Sequence, residues 1–278
     1  MTAKTTHRTT FSQLLQRELR PQEPIPRTHY VTIVVGSLLL LFGSWAVISY
    51  GGFVKPSYFL PTPSDVVSAG WKMLSTGELL ENAWASTSVI MIGWAVAALL
   101  AVPLGILMGS FRAFEAFFEP VVNFVRYLPV SAMIPLLILY VGLGIEEKIT
   151  VIFIGTFFQL ILMVADIAAH VPKDLLDSAY TLGTSRLRVV THVLIPATLP
   201  GVMDNLRITV GWAWTYIVVA ELVAAERGLG IMILESQRGL RTDRIFVGLI
   251  AIGLLGFLSD LLFKWLHRVL LPWSPKIR

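Results

Sequence analysis

The sequence predicts an all-α integral membrane protein with about six transmembrane helices. Of its 278 residues 55% are hydrophobic and only 14% charged, and the mean hydropathy is +0.72. A soluble domain carries roughly a quarter charged residues, so the shortage excludes disorder, a collagen-like repeat and a typical cytosolic enzyme. The apolar residues also fall in runs of about twenty, the length that crosses a hydrocarbon core as a helix. Such runs are too long and too uniform for the strands of a membrane barrel.

Residues 1–30 read as a polar tail, with Lys4, Arg8, Arg17, Arg20 and Arg27 and prolines Pro21, Pro24 and Pro26. The tail lacks an apolar core, so the next run, 31–50, reads as a retained first span and not as a cleaved signal. In the connection 51–83, Pro56, Pro61 and Pro63 precede a short amphipathic helix over Asp65 to Leu74. Ser64 is its expected N-cap, and Val66, Ala69, Met73 and Leu74 are expected to face the membrane. Further spans are expected at 84–108, 119–143, 149–168, 202–224 and 245–267. The third contains Pro129 and Pro135, which predicts a kinked or broken helix. Breaks at membrane depth are tolerated only where protein or a cavity surrounds the freed carbonyls. One transmembrane domain thus covers 31–270, followed by a tail at 271–278, with no internal repeat.

The net charge is +4 and the pI near 9.4. No basic patch interleaves with exposed aromatics, so the excess reads as the Lys/Arg bias of cytoplasmic loops and not as a nucleic-acid surface. Alternate connections hold thirteen and seven Lys/Arg, which places both termini in the cytoplasm. Four of those seven, Arg227, Arg238, Arg241 and Arg244, lie in the outer connection 225–244. That loop is either an electropositive mouth for anions or a solvated segment whose arginines pair with Glu226, Glu235 and Asp243. The chain has no cysteine, which excludes disulfides, thiolate metal sites and cysteine nucleophiles. Its five histidines (His7, His29, His170, His192, His267) show no metal-ligand spacing, and no nucleophile elbow occurs. The sequence therefore does not read as an enzyme, and no metal site is expected.

The connection 169–201 is the most specific segment. Pro172 suits the first position of a helix, with Asp174 and Asp177 in its first turns. Leu175, Ala179 and Leu182 share one face, Gly183 breaks the helix, and Thr184 or Ser185 can cap a second one over Arg186 to Val193. Pro196 and Pro200 are expected to mark the turn back into the membrane. Two short helices across a membrane mouth either dock into a soluble partner and pass on its movement, or merely link two spans.

The segment resembles the EAA loop of permease subunits of ATP-binding-cassette importers: E-A-A, three residues, G, nine residues, I-x-L-P. Asp177, Ser178 and Ala179 stand at the E-A-A positions, Gly183 follows at the required spacing, and Val193, Ile195 and Pro196 complete it. Asp for Glu and Ser for the first Ala are departures. Leu60-Pro61-Thr62-Pro63-Ser64 resembles an element of the taurine, sulfonate and nitrate permeases. So do Arg126-Tyr127-Leu128-Pro129 with Ile134-Pro135-Leu136, and Val219-Ala220-Glu221-Leu222 with Arg227-Gly228-Leu229-Gly230.

The resemblance implies a type I importer permease in a bacterial inner membrane, working by alternating access as a homodimer around one pathway. It implies a periplasmic or lipid-anchored binding protein and two separate ATPase subunits beneath the coupling helices. ATP and magnesium then belong to the partner, and no cofactor to this chain, which lacks the G-x-x-x-x-G-K-[ST] phosphate loop. The ATPase-coupling residues are Asp177, Ser178, Ala179, Leu182, Gly183, Arg186 and Pro196, and the implied solute is a small anion of the taurine, sulfonate or nitrate type. The alternatives are a permease for another small nutrient, or a stand-alone ion-driven transporter or channel.

Charges inside apolar spans are costly and mark functional candidates. Arg126, Asp166, Arg207 and Glu221 are the four, with Asp166 expected to cap or pair near His170. In the fifth span Arg207, Gly211, Trp214, Val218 and Glu221 recur at helical spacing. Together with Arg126 and Thr215 they form the expected translocation pathway. For Glu221 the alternative is a surface pair with Arg227; for Arg126 it is snorkelling to the interface; for Trp212 it is plain packing.

Overall fold

The computed structural model describes residues 25–54 and 59–274. The expected tails fall largely outside them, at 1–24 and 275–278. All regular structure among the described residues is helical. The chain divides into two units at Pro63.

In the first unit α1 (Arg27–Tyr50) is a 24-residue apolar helix. Three of its polar side chains are satisfied within it: Thr32, Ser37 and Ser44 donate to the carbonyls of Thr28, Val34 and Leu41 at 2.8–2.9 Å. That removes the cost of taking hydroxyls into lipid. Trp45 Nε1 donates to the Pro61 carbonyl at 3.1 Å and ties the following connection back to the helix.

The second unit opens with α2 (Pro63–Ser75). Pro63 takes the first helical turn, so Ser64 lies inside the helix instead of capping it. Val66, Ala69 and Met73 are buried against protein, contrary to the expected membrane-facing stripe, while Leu74 is exposed. Gly70 meets Val247 at the start of the last helix, which shows what α2 covers. There follow α3 (Glu78–Ser110), α4 (Arg112–Val125), α5 (Val130–Val141) and α6 (Ile145–Ala169). The remainder is α7 (Lys173–Thr181), α8 (Arg186–Val189), a π-helical turn Val190–Leu194, α9 (Ile195–Ala224), α10 (Leu229–Arg238) and α11 (Thr242–Leu270).

Five of these helices are long and apolar enough to cross a membrane, and six spans result if α4 and α5 count as one. That third span is broken, as its prolines predict. The axes of α4 and α5 differ by 97° across Arg126 to Pro129. Pro129 caps α5, while Pro135 is carried inside it.

The central pair is α3 on α6. Apolar attraction between helices is weak in lipid, so close backbone approach must supply the packing energy. Gly93, Ala97, Ala101, Gly105 and Gly109 recur every four residues along α3 and provide it. A Cβ on Gly105 would lie 2.7 Å from the Ile161 carbonyl oxygen and from Val164 Cβ. One on Gly93 would lie 2.8 Å from the Ile149 carbonyl oxygen. Around this seam one apolar cluster gathers Ala101, Met108, Leu160, Ile161, Val164 and Val202 at the end that carries the 169–201 connector. A smaller one gathers Ile134, Leu137, Val151 and Ala220 toward the other end.

Candidate functional site

Where the third span breaks, a groove of about 750 Å³ opens between α4–α5, α6 and α9. Its polar lining comes from Arg126 and Tyr127 at the break, Ser131 of α5, Gln159 of α6, and Thr215 and Tyr216 of α9. Ile134, Val151, Phe158 and Trp212 supply apolar wall. Arg126 is the single charged residue of the lining. Its Nη2 donates to the Tyr127 hydroxyl at 2.7 Å, and the guanidinium lies 4.6 Å from the centre of that ring. Its Nε is buried without a hydrogen-bond partner among the described residues. Among the described residues no carboxylate pairs with Arg126, so the groove lining carries a net positive charge suited to an anion.

Of the expected pathway residues, Arg126 and Thr215 line this groove. The others lie roughly a third of a turn around α9. Arg207 faces α11, where Asp260 forms ion pairs with it at 3.3 Å and with Lys264 at 2.8 Å. Trp214 is buried and donates to Ser259 of α11 at 3.2 Å, so packing falls to Trp214 while Trp212 lines the groove. Gly211 and Val218 are also outside the lining, and open space surrounds Gly211.

Glu221 is 1% exposed and organises the end remote from the connector. Ser86 of α3 donates to one carboxylate oxygen at 2.6 Å, and the Gly230 amide donates to the other at 2.6 Å. The Leu229 amide donates to Ser86 Oγ at 2.9 Å, and the Gly228 amide to Asn82 Oδ1 at 2.8 Å. Three amides that open α10 thus find acceptors on α3 and α9, which meets the orphan donors of a helix start. Glycine is required here. Gly228 has φ of +141° and any Cβ on it would strike the Glu221 carboxyl, while one on Gly230 would lie 2.9 Å from Glu221 Cβ. Arg227 pairs with Glu81 and not with Glu221. Of the other loop arginines, Arg241 pairs with Asp243 at 2.9 Å and Arg244 with Glu78.

At the connector end α7 closes as its glycine predicts. Gly183 has φ of +79°, its amide donates to the Tyr180 carbonyl at 2.9 Å, and Thr184 donates to Ala179 at 3.2 Å. Pro172 precedes the helix as its cap residue, one position earlier than expected, and Ser185 precedes α8. The expected turn at Pro196 and Pro200 is absent. Residues Arg186–Val223 form one 38-residue helical stretch, because the wider π turn at Val190–Leu194 makes room for a proline ring that would clash in a regular helix. Asp177, Ser178, Leu182, Gly183 and Arg186 are exposed, Ala179 is half-buried, and Pro196 lies in the first turn of α9. Leu175, Tyr180, Leu182 and Leu187 present apolar side chains outward. At the foot of α6, His170 Nδ1 lies 3.3 Å from Asp166 as expected.

Sequence reasoning missed Ser131 and Gln159 because neutral residues in an apolar run carry no charge signal. It missed Ser86 and Asn82 for the same reason, and Glu147 and Lys148 because they precede the apolar run that set the span's start.

A broken span lining a charged groove, beside paired short helices at one membrane face, defines a helical membrane transport subunit. Residues 101–272 match the binding-protein-dependent transport system inner membrane component family, and the chain belongs to it. It is accordingly a multi-pass inner membrane protein. The taurine transport system permease protein TauC of Escherichia coli is 31% identical over 271 residues, covering 96% of this chain and 98% of TauC. A probable ABC transporter permease protein of Brucella abortus is 33% identical, covering 84% of this chain and 92% of its own. The putative aliphatic sulfonates transport permease protein SsuC of Bacillus subtilis is 30% identical, covering 84% of each chain. Among solved structures, the inward-facing MetNI methionine ABC transporter aligns with a TM-score of 0.58 at 20% identity, covering 68% of this chain and 96% of that one. The fold is therefore that of the type I ABC importer permeases.

Proposed function

We propose that this chain is the solute-conducting permease of an ATP-driven importer for a small organic anion of the sulfonate type. The observation that carries the reading is the groove with Arg126 as its sole charge, flanked by hydroxyls, an amide and aromatic walls. A sulfonate needs one cation, several neutral donors and room for a short apolar body, and each is present. The relatives named for taurine and aliphatic sulfonate transport support the same class.

In this reading two copies of the chain face each other across one pathway, with both termini in the cytoplasm. The exposed leucines and tyrosine of α7 and α8 dock on two copies of an ATPase subunit, and a binding protein delivers solute at the opposite face. ATP and magnesium act on the ATPase. This chain contributes the coupling helices, joined through the continuous α8–α9 rod to the groove lining at Trp212, Thr215 and Tyr216. A pull on α7–α8 therefore acts on the wall of the pathway, and nucleotide drives the change through its different affinity for the two states.

The test is co-purification from the native membrane with identification of every bound chain. Recovery of an ATPase bearing a phosphate loop is expected. Recovery of this chain alone, stable and still transporting, overturns the reading in favour of an ion-driven carrier.

A further inference from the structure

One wall of the Arg126 groove is shaped by a contact that the reading above leaves unused. Along α6, Val151, Gly155 and Gln159 line the groove at intervals of four residues, so they stand one above another on the same helix face. The middle position is the only glycine of α6. Glycine is a poorer choice than alanine inside a helix, so its lack of a side chain has a packing reason. The glycines of α3 meet backbone: a Cβ on Gly93 or Gly105 would have a carbonyl oxygen of α6 within 2.8 Å. Gly155 is different. The three atoms nearest to a Cβ placed on it are all ring atoms of Tyr216, at 2.8, 2.9 and 3.2 Å.

Tyr216 belongs to α9 and lines the same groove. Its ring lies back into the dent that Gly155 leaves on α6. A methyl group at 155 cannot share that place, because a carbon 2.8 Å from a ring atom forces the ring to move. Helix α6 closes one side of the ring and the groove is the open side, so a displaced ring moves into the groove. Arg126 stands on another wall, at the α4–α5 break. A solute anchored there by its anionic group extends its body across the space that the ring would enter.

We propose that Gly155 is a positioning residue that sets, through Tyr216, how long a solute body the groove admits. The inference rests on the importer reading and adds to it the residues of the permease that measure the solute.

The experiment uses the whole importer, permease with its ATPase, in nanodiscs without nucleotide or binding protein. Saturation-transfer NMR reads the dissociation constants of methanesulfonate and butanesulfonate, with empty nanodiscs as blank. A buried methylene is worth about fourfold in affinity, so the wild type should favour butanesulfonate. Gly155→Ala should weaken butanesulfonate about fourfold or more and leave methanesulfonate within about twofold. A variant that merely loosens the bundle, or disturbs Arg126, weakens both probes alike. In Tyr216→Ala no ring remains to displace, and adding Gly155→Ala there should alter neither probe by more than about twofold. Tyr216→Ala carries the test by itself if Gly155→Ala does not assemble: benzenesulfonate should bind it about fourfold or more tightly than it binds the wild type. Equal weakening of both probes, no weakening, or the same weakening with and without the Tyr216 ring overturns the proposal. So does a wild type that binds neither probe, or benzenesulfonate affinity that Tyr216→Ala leaves unchanged. ATP-driven ethanesulfonate uptake with the binding protein present separates the two readings. Uptake by the wild type together with a failed size effect sinks the role of Gly155 alone, and a size effect without any ATP-driven uptake sinks the importer reading alone.

Discussion

Replacing Ser86 by alanine removes a single oxygen that makes two buried hydrogen bonds. Its hydroxyl donates to Glu221 at 2.6 Å and accepts from the Leu229 amide at 2.9 Å. A hydrogen bond to a carboxylate contributes about 1.5–3 kcal/mol, and a buried amide left without an acceptor costs about 1–3 kcal/mol. The two losses share one site and do not simply add. Alanine also returns about 0.5 kcal/mol in helix propensity. The net expectation is a destabilisation of about 2–4 kcal/mol. The assay is SDS-induced unfolding in mixed micelles, with Ser88→Ala as control. Ser88 lies two residues away and bonds only within its own helix, to the Ala85 carbonyl at 2.8 Å, so its loss should cost no more than about 0.5 kcal/mol. Faster tryptic cleavage after Arg227 should accompany unfolding in Ser86→Ala, since α10 loses its anchor to α3. Equal stability of the two variants would refute the role given to Ser86 and Glu221.

Three further outcomes follow from the same geometry. Gly105→Ala places a Cβ 2.7 Å from the Ile161 carbonyl oxygen and should destabilise by about 1–3 kcal/mol. Gly253→Ala, in open space, should be neutral or stabilising by up to about 1 kcal/mol in the same micelle titration. Gly183→Val should cut ATP-driven uptake while leaving the groove intact, because a β-branched residue resists φ of +79°. Gly183→Asn, which tolerates that region, should retain most uptake, and parity of the two variants argues against a conformational role for the turn. Arg126→Leu should lower uptake efficiency for ethanesulfonate about 10- to 100-fold with little change in stability, as read by initial rates in proteoliposomes.

Hydropathy and proline placement were enough to locate the five long apolar helices and the bent pair that makes a sixth span, with its break. Each rests on a property of consecutive residues: twenty apolar side chains, or a ring that removes an amide. The face of α9 was not legible in that way. Arg207 and Glu221 drew attention as intramembrane charges, yet one binds Asp260 and the other caps α10. Intramembrane charge signals that a partner exists and does not say whether the partner is protein or solute. The groove face carries no charge; Thr215 on it was expected, but that Trp212 and Tyr216 join it follows only from where α6 and the α4–α5 break lie. The unbroken passage from α8 into α9 was hidden for a related reason. Proline is read as a helix terminator, and the π turn that accommodates Pro196 has no sequence mark of its own. The glycine stripe of α3 stands in plain spacing but was passed over, because its meaning follows from the close approach of α6 that the small residues permit in lipid.

The most direct test of the central claim is uptake of labelled ethanesulfonate and 2-aminoethanesulfonate by liposomes holding the permease, its ATPase and the loaded binding protein. The account predicts accumulation only when Mg-ATP is supplied on the ATPase side, with loss in Arg126→Leu. Accumulation that proceeds without the ATPase and follows an imposed ion gradient would contradict it.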